Sequence, residues 1–327
     1  MSHVVLEVRD LSVEYSDGSK RVQAVDGVSF SLRKGAVLAL VGESGCGKTT
    51  TALAMLGLLP HAGRVLAGEV RFGGSDLLSM RKEEMRRLRG REISMIFQDP
   101  ATGLNPVLSV GDQVEEIITT HGRAAKREAR VLVDDALRRV GLSEPERLTR
   151  LFPYQLSGGI SQRVMIAIAT VLHPRVIIAD EPTSALDVTV QAGILRELEQ
   201  LRDEQGVSIL LITHDLGVVA QMADEVAVMY AGRIAEQGAT RDVLRRPLHP
   251  YTWSLLETIP RLDRARRPLQ PIKGSPPDLS ELADECAFLP RCRKAITTCR
   301  TSPSPPLEEL APGQQAACYN HVYHPEE

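Results

Sequence analysis

The chain has 327 residues, 43% of them hydrophobic and 25% charged, which excludes wholesale disorder and a small disulfide-stapled scaffold and leaves room for one large α/β domain with an appendage, or two modest domains. Lys plus Arg (39) against Asp plus Glu (42) gives a net charge of -3. That balance lacks the basic excess of a protein built to bind phosphate backbones, so nucleic acid is not an expected partner.

In chain order, the charged start MSHVVLEVRD has no signal-peptide pattern, and no apolar run nears the roughly 20 residues that cross a bilayer, so a cytosolic chain is expected. Leu6 to Tyr15 and Val22 to Leu32 predict turn-linked strands, an antiparallel flap beside a main sheet. Ala36 to Val41, Ile93 to Phe97, Val176 to Ala179, Ser208 to Ile212 and Glu225 to Tyr230 are apolar runs that alternate with segments of helical period such as Val188 to Leu201. That alternation predicts an α/β fold with a mainly parallel sheet. Arg81 to Arg91 is dense in charge, but Glu83 and Glu84 interrupt it and Met85 and Leu88 lie three apart, which predicts a solvated amphipathic helix rather than a basic binding patch. Between about 110 and 172 the strand pattern gives way to helical stretches, so a helical subdomain is expected inside the core. Of 20 prolines only 7 precede residue 245, which places a boundary there: a core of residues 1–250 and a Pro-rich extension of 251–327. Four of the five cysteines (Cys286, Cys292, Cys299, Cys318) fall in that extension, and in a reducing compartment such crowding points to metal more than to disulfides.

Three segments carry chemistry. Gly42-Glu-Ser-Gly-Cys-Gly-Lys48-Thr49 follows an apolar strand and precedes the helix-competent run Thr50 to Leu59, the context a P-loop demands. Its glycines turn backbone N–H groups toward phosphate oxygens, and the helix N-terminus adds partial positive charge. Lys48 is expected on the β- and γ-phosphates and the Thr49 hydroxyl on Mg²⁺. Gly42, Ser44, Gly45, Cys46, Gly47, Lys48, Thr49 and Thr50 form the nucleotide-binding set, with no redox role for Cys46. Val176-Ile-Ile-Ala-Asp180-Glu181 is an apolar strand ending in two carboxylates, which alternation along a strand would point in different directions. Asp180 is the candidate for Mg²⁺ and Glu181 for general base, although a lone acidic pair can also be solvated or cap a helix. Leu156-Ser157-Gly158-Gly159-Ile160-Ser161-Gln162-Arg163 precedes the helix-compatible run Val164 to Leu172. Alone it reads as a helix N-cap by Ser157.

Taken in order, the P-loop, LSGGxxQR, the apolar run into Asp180-Glu181 and Thr213-His214-Asp215 resemble the signature set of ABC ATPases. The resemblance implies a P-loop ABC ATPase cassette that binds ATP and Mg²⁺ and hydrolyses ATP. It makes Tyr15 the adenine-stacking aromatic, Gln98 the glutamine that senses Mg²⁺ and water and couples to a membrane partner, and Ser184-Ala-Leu-Asp187 the D-loop. It makes His214 the switch histidine, and Ser157, Gly158, Gly159 and Gln162 the turn that reads a partner cassette's nucleotide. The departure Ile160-Ser161 touches variable positions only. GEVRFGGSDLL, RGREISMIFQDPATGLNPVLSVGDQ, TSALDVTVQAGIL, HPYTWSLL and CAFLPRCRKA narrow the resemblance to ATP-binding subunits of dipeptide and oligopeptide importers, D-type rather than F-type. That family implies inward transport at the cytoplasmic face of the membrane. The partners it implies are an F-type second ATP-binding subunit, two permease subunits that dock on the stretch from Gln98 to about Gln113, and an extracytoplasmic solute-binding protein. Nickel or glutathione import by the same machine is the alternative cargo. A soluble ABC ATPase acting on DNA or the ribosome is disfavoured by the single cassette, and an inactive regulatory subunit by the presence of Glu181 and His214. The tail spacing Cys286-x5-Cys292-x6-Cys299-x18-Cys318 lacks CxxC knuckles and suits a [4Fe-4S] cluster, as the resemblance also does. Zinc, with His321 and His324 nearby, and free buried thiols are the alternatives.

Overall fold

The computed structural model describes residues 3–122, 126–184, 186–258 and 271–323. Its strands are β1 (Val4–Ser16), β2 (Arg21–Arg33), β3 (Val37–Val41), β4 (Gly63–Phe72), β5 (Ser75–Asp76), β6 (Ile93–Ile96), β7 (Val176–Asp180), β8 (Ser208–Thr213), β9 (Glu225–Tyr230), β10 (Arg233–Ala239), β11 (Glu308–Ala311) and β12 (Gln314–Ala316). Every expected strand is present. The chain divides into two compact units, one of Met1–Leu6, Leu32–Val37 and Ser79–Ile212, the other of Glu7–Ser31, Leu38–Leu78 and Thr213–Glu327.

In the first unit β6, β7 and β8 pair in parallel, with Ile93 opposite Val176 and Val176 opposite Ser208. All residues of these strands are buried, which is why they read as continuous apolar runs rather than alternating ones. The helices Val110–Thr120, Lys126–Arg139 and Gly158–Thr170 pack on one another. They bury Val114, Ile118, Val133, Leu137, Val164 and Met165, so the expected helical stretch is helical throughout its described length apart from short connections. The helix Lys82–Leu88 buries only Met85, and Glu84 pairs with Arg81 at 2.7 Å; it is the solvated amphipathic helix the charge pattern predicts.

The second unit holds a four-stranded sheet of order β2-β1-β4-β5 and a further run β11-β12-β10-β9-β3. There β3 and β9 are parallel, while β9, β10, β12 and β11 succeed one another antiparallel. The parallel element is therefore extended by a short antiparallel edge from the tail. Sequence reading did not place β4, β10, β11 or β12, because their apolar residues are few and are interrupted by glycine or polar residues. Ala39, Val41, Val219, Val226, Val228, Tyr230, Tyr251 and Phe288 share one core cluster, so residues of the extension are packed with the strand that leads into the P-loop. Among the described residues no helix is long and apolar enough to cross a membrane.

Candidate active site

The P-loop leaves β3 and runs into the helix Lys48–Met55. Two glycines are obligatory for steric reasons. A Cβ on Gly42 would lie 2.1 Å from the Met229 carbonyl oxygen. One on Gly47, whose φ is +105°, would lie 2.3 Å from that of Ala24. Lys48 is 7% exposed, and its Nζ donates to the carbonyl oxygens of Gly42 at 2.7 Å and Glu43 at 3.0 Å. The ammonium is thereby held inside the loop. Thr51 Oγ1 donates to Gly47 O at 2.9 Å, closing the first turn. Tyr15 Oη lies 3.4 Å from Thr50 Oγ1, so the expected aromatic and the expected helix start are brought together. Burial pushes the Cys46 thiol pKa up.

Glu43, which sequence reasoning passed over, is held at both its backbone and its side chain. Its N–H donates to Tyr251 Oη at 2.9 Å. Its carboxylate accepts from both terminal nitrogens of Arg291, at 2.6 and 2.9 Å. Tyr251 stands in the helix Pro250–Glu257, capped by His249, whose Nδ1 accepts from the Tyr251 N–H at 3.0 Å. Burial lowers the His249 pKa to about 4, so the imidazole is neutral. The adjoining backbone is fixed by buried Glu236, which accepts from the N–H groups of Leu248 and His249 and from Gln314 Nε2. The segments HPYTWSLL and CAFLPRCRKA contained the signal, but nothing local in them says that Tyr251 and Arg291 reach the P-loop.

His214 follows β8 and is exposed, and the next residue, Asp215, caps the helix Leu216–Met222 by accepting from Gly217 N at 2.8 Å.

In the first unit, β7 ends on Asp180, only 2% exposed. Glu181 does not continue the strand. Its φ is +48°, a left-handed backbone that costs a non-glycine residue roughly 1–2 kcal/mol, and its N–H is held by Ile212 O at 2.8 Å. Strand alternation, expected from sequence to separate the two carboxylates, therefore stops at Asp180, and the turn at Glu181 replaces it. Such strain at a candidate catalytic position fits a conformation that the surroundings enforce. Gln98 is exposed just beyond β6, and Asp99 caps the short helix Pro100–Gly103. Buried Gln113 pins the following loop by bonding Asn105 and Leu108.

Ser157 caps the helix Gly158–Thr170, its hydroxyl accepting from Ile160 N at 3.5 Å. A Cβ on Gly159 would come within 2.9 Å of Val190. Gln162 is 2% exposed, and its amide nitrogen has no hydrogen-bond partner among the described residues. Arg163, beside it, forms an ion pair with the nearly buried Glu197 and donates to Val140 O at 2.6 Å, tying the helix to two neighbours. Sequence reading missed Glu197, whose partner is 34 residues away. Asp187 caps the helix Val188–Gln205 through Thr189 and Val190. Ala185 of the expected D-loop, and His324, lie outside the described residues.

Cys286, Cys292, Cys299 and Cys318 line one cavity with His249, Phe288 and Leu289. Burial pushes up the pKa of Cys286, Cys292 and Cys318, the last to about 12. Among the described residues no group of three or more His, Cys, Asp or Glu side chains is placed to hold a single metal ion.

A P-loop in one unit, and an apolar strand ending in Asp180 and a Ser157-capped helix in the other, are the elements of an ATP-binding cassette. The description "ABC transporter" matches residues 25–184, and "Oligopeptide/dipeptide transporter, C-terminal region" matches residues 235–299. The "Dipeptide transport ATP-binding protein DppD" of Bacillus subtilis is 46% identical over 319 residues, 97% of this chain and 93% of that protein. The "Oligopeptide transport ATP-binding protein OppD" of Salmonella typhimurium is 45% identical over 321 residues, 98% and 95% of the two chains. Among solved structures, the dimeric post-hydrolysis ATP-binding cassette MJ0796 bound to ADP and Pi superposes with a TM-score of 0.66 at 28% identity, covering 72% of this chain and 99% of that one. The chain belongs to the family of ATP-binding subunits of dipeptide and oligopeptide ABC transporters, and is an ABC ATPase.

Proposed function

We propose that this chain hydrolyses ATP to power inward transport of dipeptides or oligopeptides through a membrane permease. The observation that carries the reading is the near end-to-end likeness, tail included, to relatives named for dipeptide and oligopeptide transport. Residues 1–250 form the nucleotide-binding part and 251–327 the extension.

On this reading Lys48 exchanges its bonds to the Gly42 and Glu43 carbonyls for the β- and γ-phosphate oxygens. The N–H groups of Ser44, Gly45, Cys46, Gly47 and Thr50 surround the phosphates, and Tyr15 stacks on adenine. Thr49, Gln98 and Asp180 are hard oxygen donors of the type Mg²⁺ takes. When bound, that ion neutralises charge on the phosphates. Glu181 accepts a proton from the attacking water and His214 contacts the γ-phosphate. Ser157, Gly158, Gly159 and Gln162 read the γ-phosphate held by a second cassette, an F-type companion, so turnover requires a dimer. The stretch from Gln98 to Gln113, where Val107 is 76% exposed, receives the permease subunits at the cytoplasmic face of the membrane. A solute-binding protein delivers the peptide.

The four tail thiols suit a [4Fe-4S] cluster better than zinc. They line one cavity at sequence spacings without CxxC knuckles, and a cluster spreads its four thiolates over several irons. Bound there, it would crosslink a segment with little apolar periodicity of its own. Anaerobic purification should give a brown protein with absorbance near 400 nm and about four irons per chain. A colourless, iron-free preparation with stoichiometric zinc refutes the cluster.

The test of function is ATPase activity of the chain with its permease and companion cassette in liposomes. Stimulation by peptide-loaded solute-binding protein is expected. Stimulation only by nickel- or glutathione-loaded protein would reassign the cargo.

A further inference from the structure

We propose that Arg291, carried by the cysteine-lined extension, is a positioning residue of the nucleotide site: it neutralises and fixes Glu43, the second residue of the P-loop, and thereby sets the affinity of the loop for phosphate. The proposal rests on the reading of Gly42 to Thr49 as the ATP phosphate site.

Glu43 is a carboxylate placed in the loop that must receive a polyanion. Left as a free charge it would repel phosphate, and a mobile side chain would let the loop wander. The structure answers both problems with one group. Arg291 meets the carboxylate with its planar fork, two parallel bonds of 2.6 and 2.9 Å, the geometry in which a guanidinium is most selective. The guanidinium has no freedom to follow another partner. Its Nε donates to Lys273 O at 3.1 Å, one terminal nitrogen also donates to Tyr230 Oη at 3.2 Å, and its carbon lies 5.8 Å from the Tyr230 ring centroid. The Arg291 side chain is 5% exposed, against 24% for Glu43. The anchor is thus buried and the loop end more open, the order expected when the tail holds the loop.

The backbone of Arg291 belongs to the same turn as two cysteines. Leu289 N donates to Cys286 O at 2.8 Å, Arg291 N to Phe288 O at 3.0 Å, and Cys292 N to Leu289 O at 3.2 Å. Phe288 packs edge-on to Tyr230 and against Tyr251, whose hydroxyl accepts from the Glu43 N–H. Glu43 is therefore gripped at its amide by Tyr251 and at its carboxylate by Arg291, both from the region beyond residue 248. The extension is part of the phosphate site's scaffold, although its sequence distance from the loop hides this.

The test is nucleotide affinity of the full-length chain, read by displacement of a fluorescent ATP analogue, with thermal melting recorded for each variant. Arg291→Gln leaves the Glu43 charge uncompensated in the loop and should weaken MgATP binding by about tenfold. Adding Glu43→Gln to it should recover most of the affinity, because the repelling charge is gone. Glu43→Gln alone should bind MgATP at least as tightly as the parent, since a negative charge is removed from the loop and the Arg291 charge beside it is no longer neutralised. A purely structural role of the pair predicts the opposite, with the double variant as weak as Arg291→Gln. If Arg291→Gln does not fold, Arg291→Met, which removes the charge but keeps an unbranched stem, reads the same effect with and without Glu43→Gln. Parental affinity in the folded Arg291 variants, no recovery in the double variant, or about tenfold weakening by Glu43→Gln alone would overturn the proposal. Lys48→Ala run in parallel separates the premise: unchanged affinity there refutes the phosphate site itself, whereas loss there with parental affinity in Arg291→Gln refutes only the clamp.

Discussion

The P-loop and the Ser157 turn, the two turns that we propose read phosphate, are held in different ways. The P-loop is over-determined: two glycines fit where no side chain could, Lys48 is tied to loop carbonyls, and Glu43 is gripped by Tyr251 and Arg291, 208 and 248 residues away in sequence. The signature turn has one local cap, Ser157 to Ile160 at 3.5 Å, and its rigidity comes from further along the same helix, where Arg163 meets Glu197 and Val140. A turn that must grip its own nucleotide is built rigid. One that, on the proposed reading, meets a nucleotide held by another subunit can be lightly capped on a firmly anchored helix.

That contrast can be broken at the anchor first. Glu197→Ala leaves Arg163 largely buried without its carboxylate, and should destabilise the first unit by about 3 kcal/mol or more, read as a lower urea midpoint. A stability within a few tenths of the parent would show that the helix does not depend on the pair. Next in size is Glu181→Gln, nearly isosteric but unable to accept a proton. It should keep MgATP binding and lose turnover by a factor on the order of 10² or more in the assembled complex, and parental turnover would remove Glu181 from its role.

On the P-loop side the buried His249 makes a pH prediction. Its folded pKa of about 4 lies below the ordinary 6.5, so the unfolded chain takes up a proton first as pH falls. The associated stability is complete above about pH 6.5 and is lost progressively toward pH 4, amounting to about 2 kcal/mol at pH 5. Glu236, whose carboxyl is pushed up by burial, works in the opposite sense. The measurement is therefore the difference in urea midpoint between the parent and His249→Gln at pH 7.5 and pH 5. The variant should show the shallower pH dependence, and identical slopes would contradict a neutral buried imidazole. The smallest effect expected is that of Ser157→Ala, about 1 kcal/mol from the lost cap, with Ser157→Gly milder. A larger loss would mean that the turn is anchored by more than its own hydroxyl.

What could be read in advance follows the same division. The P-loop, Asp180-Glu181 and Ser157-capped turn are local patterns, set by neighbouring residues and by the apolar runs that precede them, and the structure shows a strand and a helix flanking the loop, a strand ending on Asp180 and a cap at Ser157. The fully buried strands β3, β6, β7, β8 and β9 were legible as apolar runs. The left-handed turn at Glu181 was not, because its N–H is held by Ile212 O on a strand distant in sequence. Arg291, Tyr251 and Glu197 were not legible for a related reason: ion pairs and hydrogen bonds between residues distant in sequence leave no periodicity. The antiparallel β11 and β12 have too few apolar residues to announce themselves.

The central claim is that this cassette turns over ATP only when a second cassette completes its site. The most direct measurement is the ATPase rate of the isolated chain against that of the chain assembled with its companion cassette and permease subunits. The isolated chain should be nearly inactive and the assembly should respond to cargo-loaded binding protein. Robust, cargo-independent hydrolysis by the isolated monomer would contradict the account.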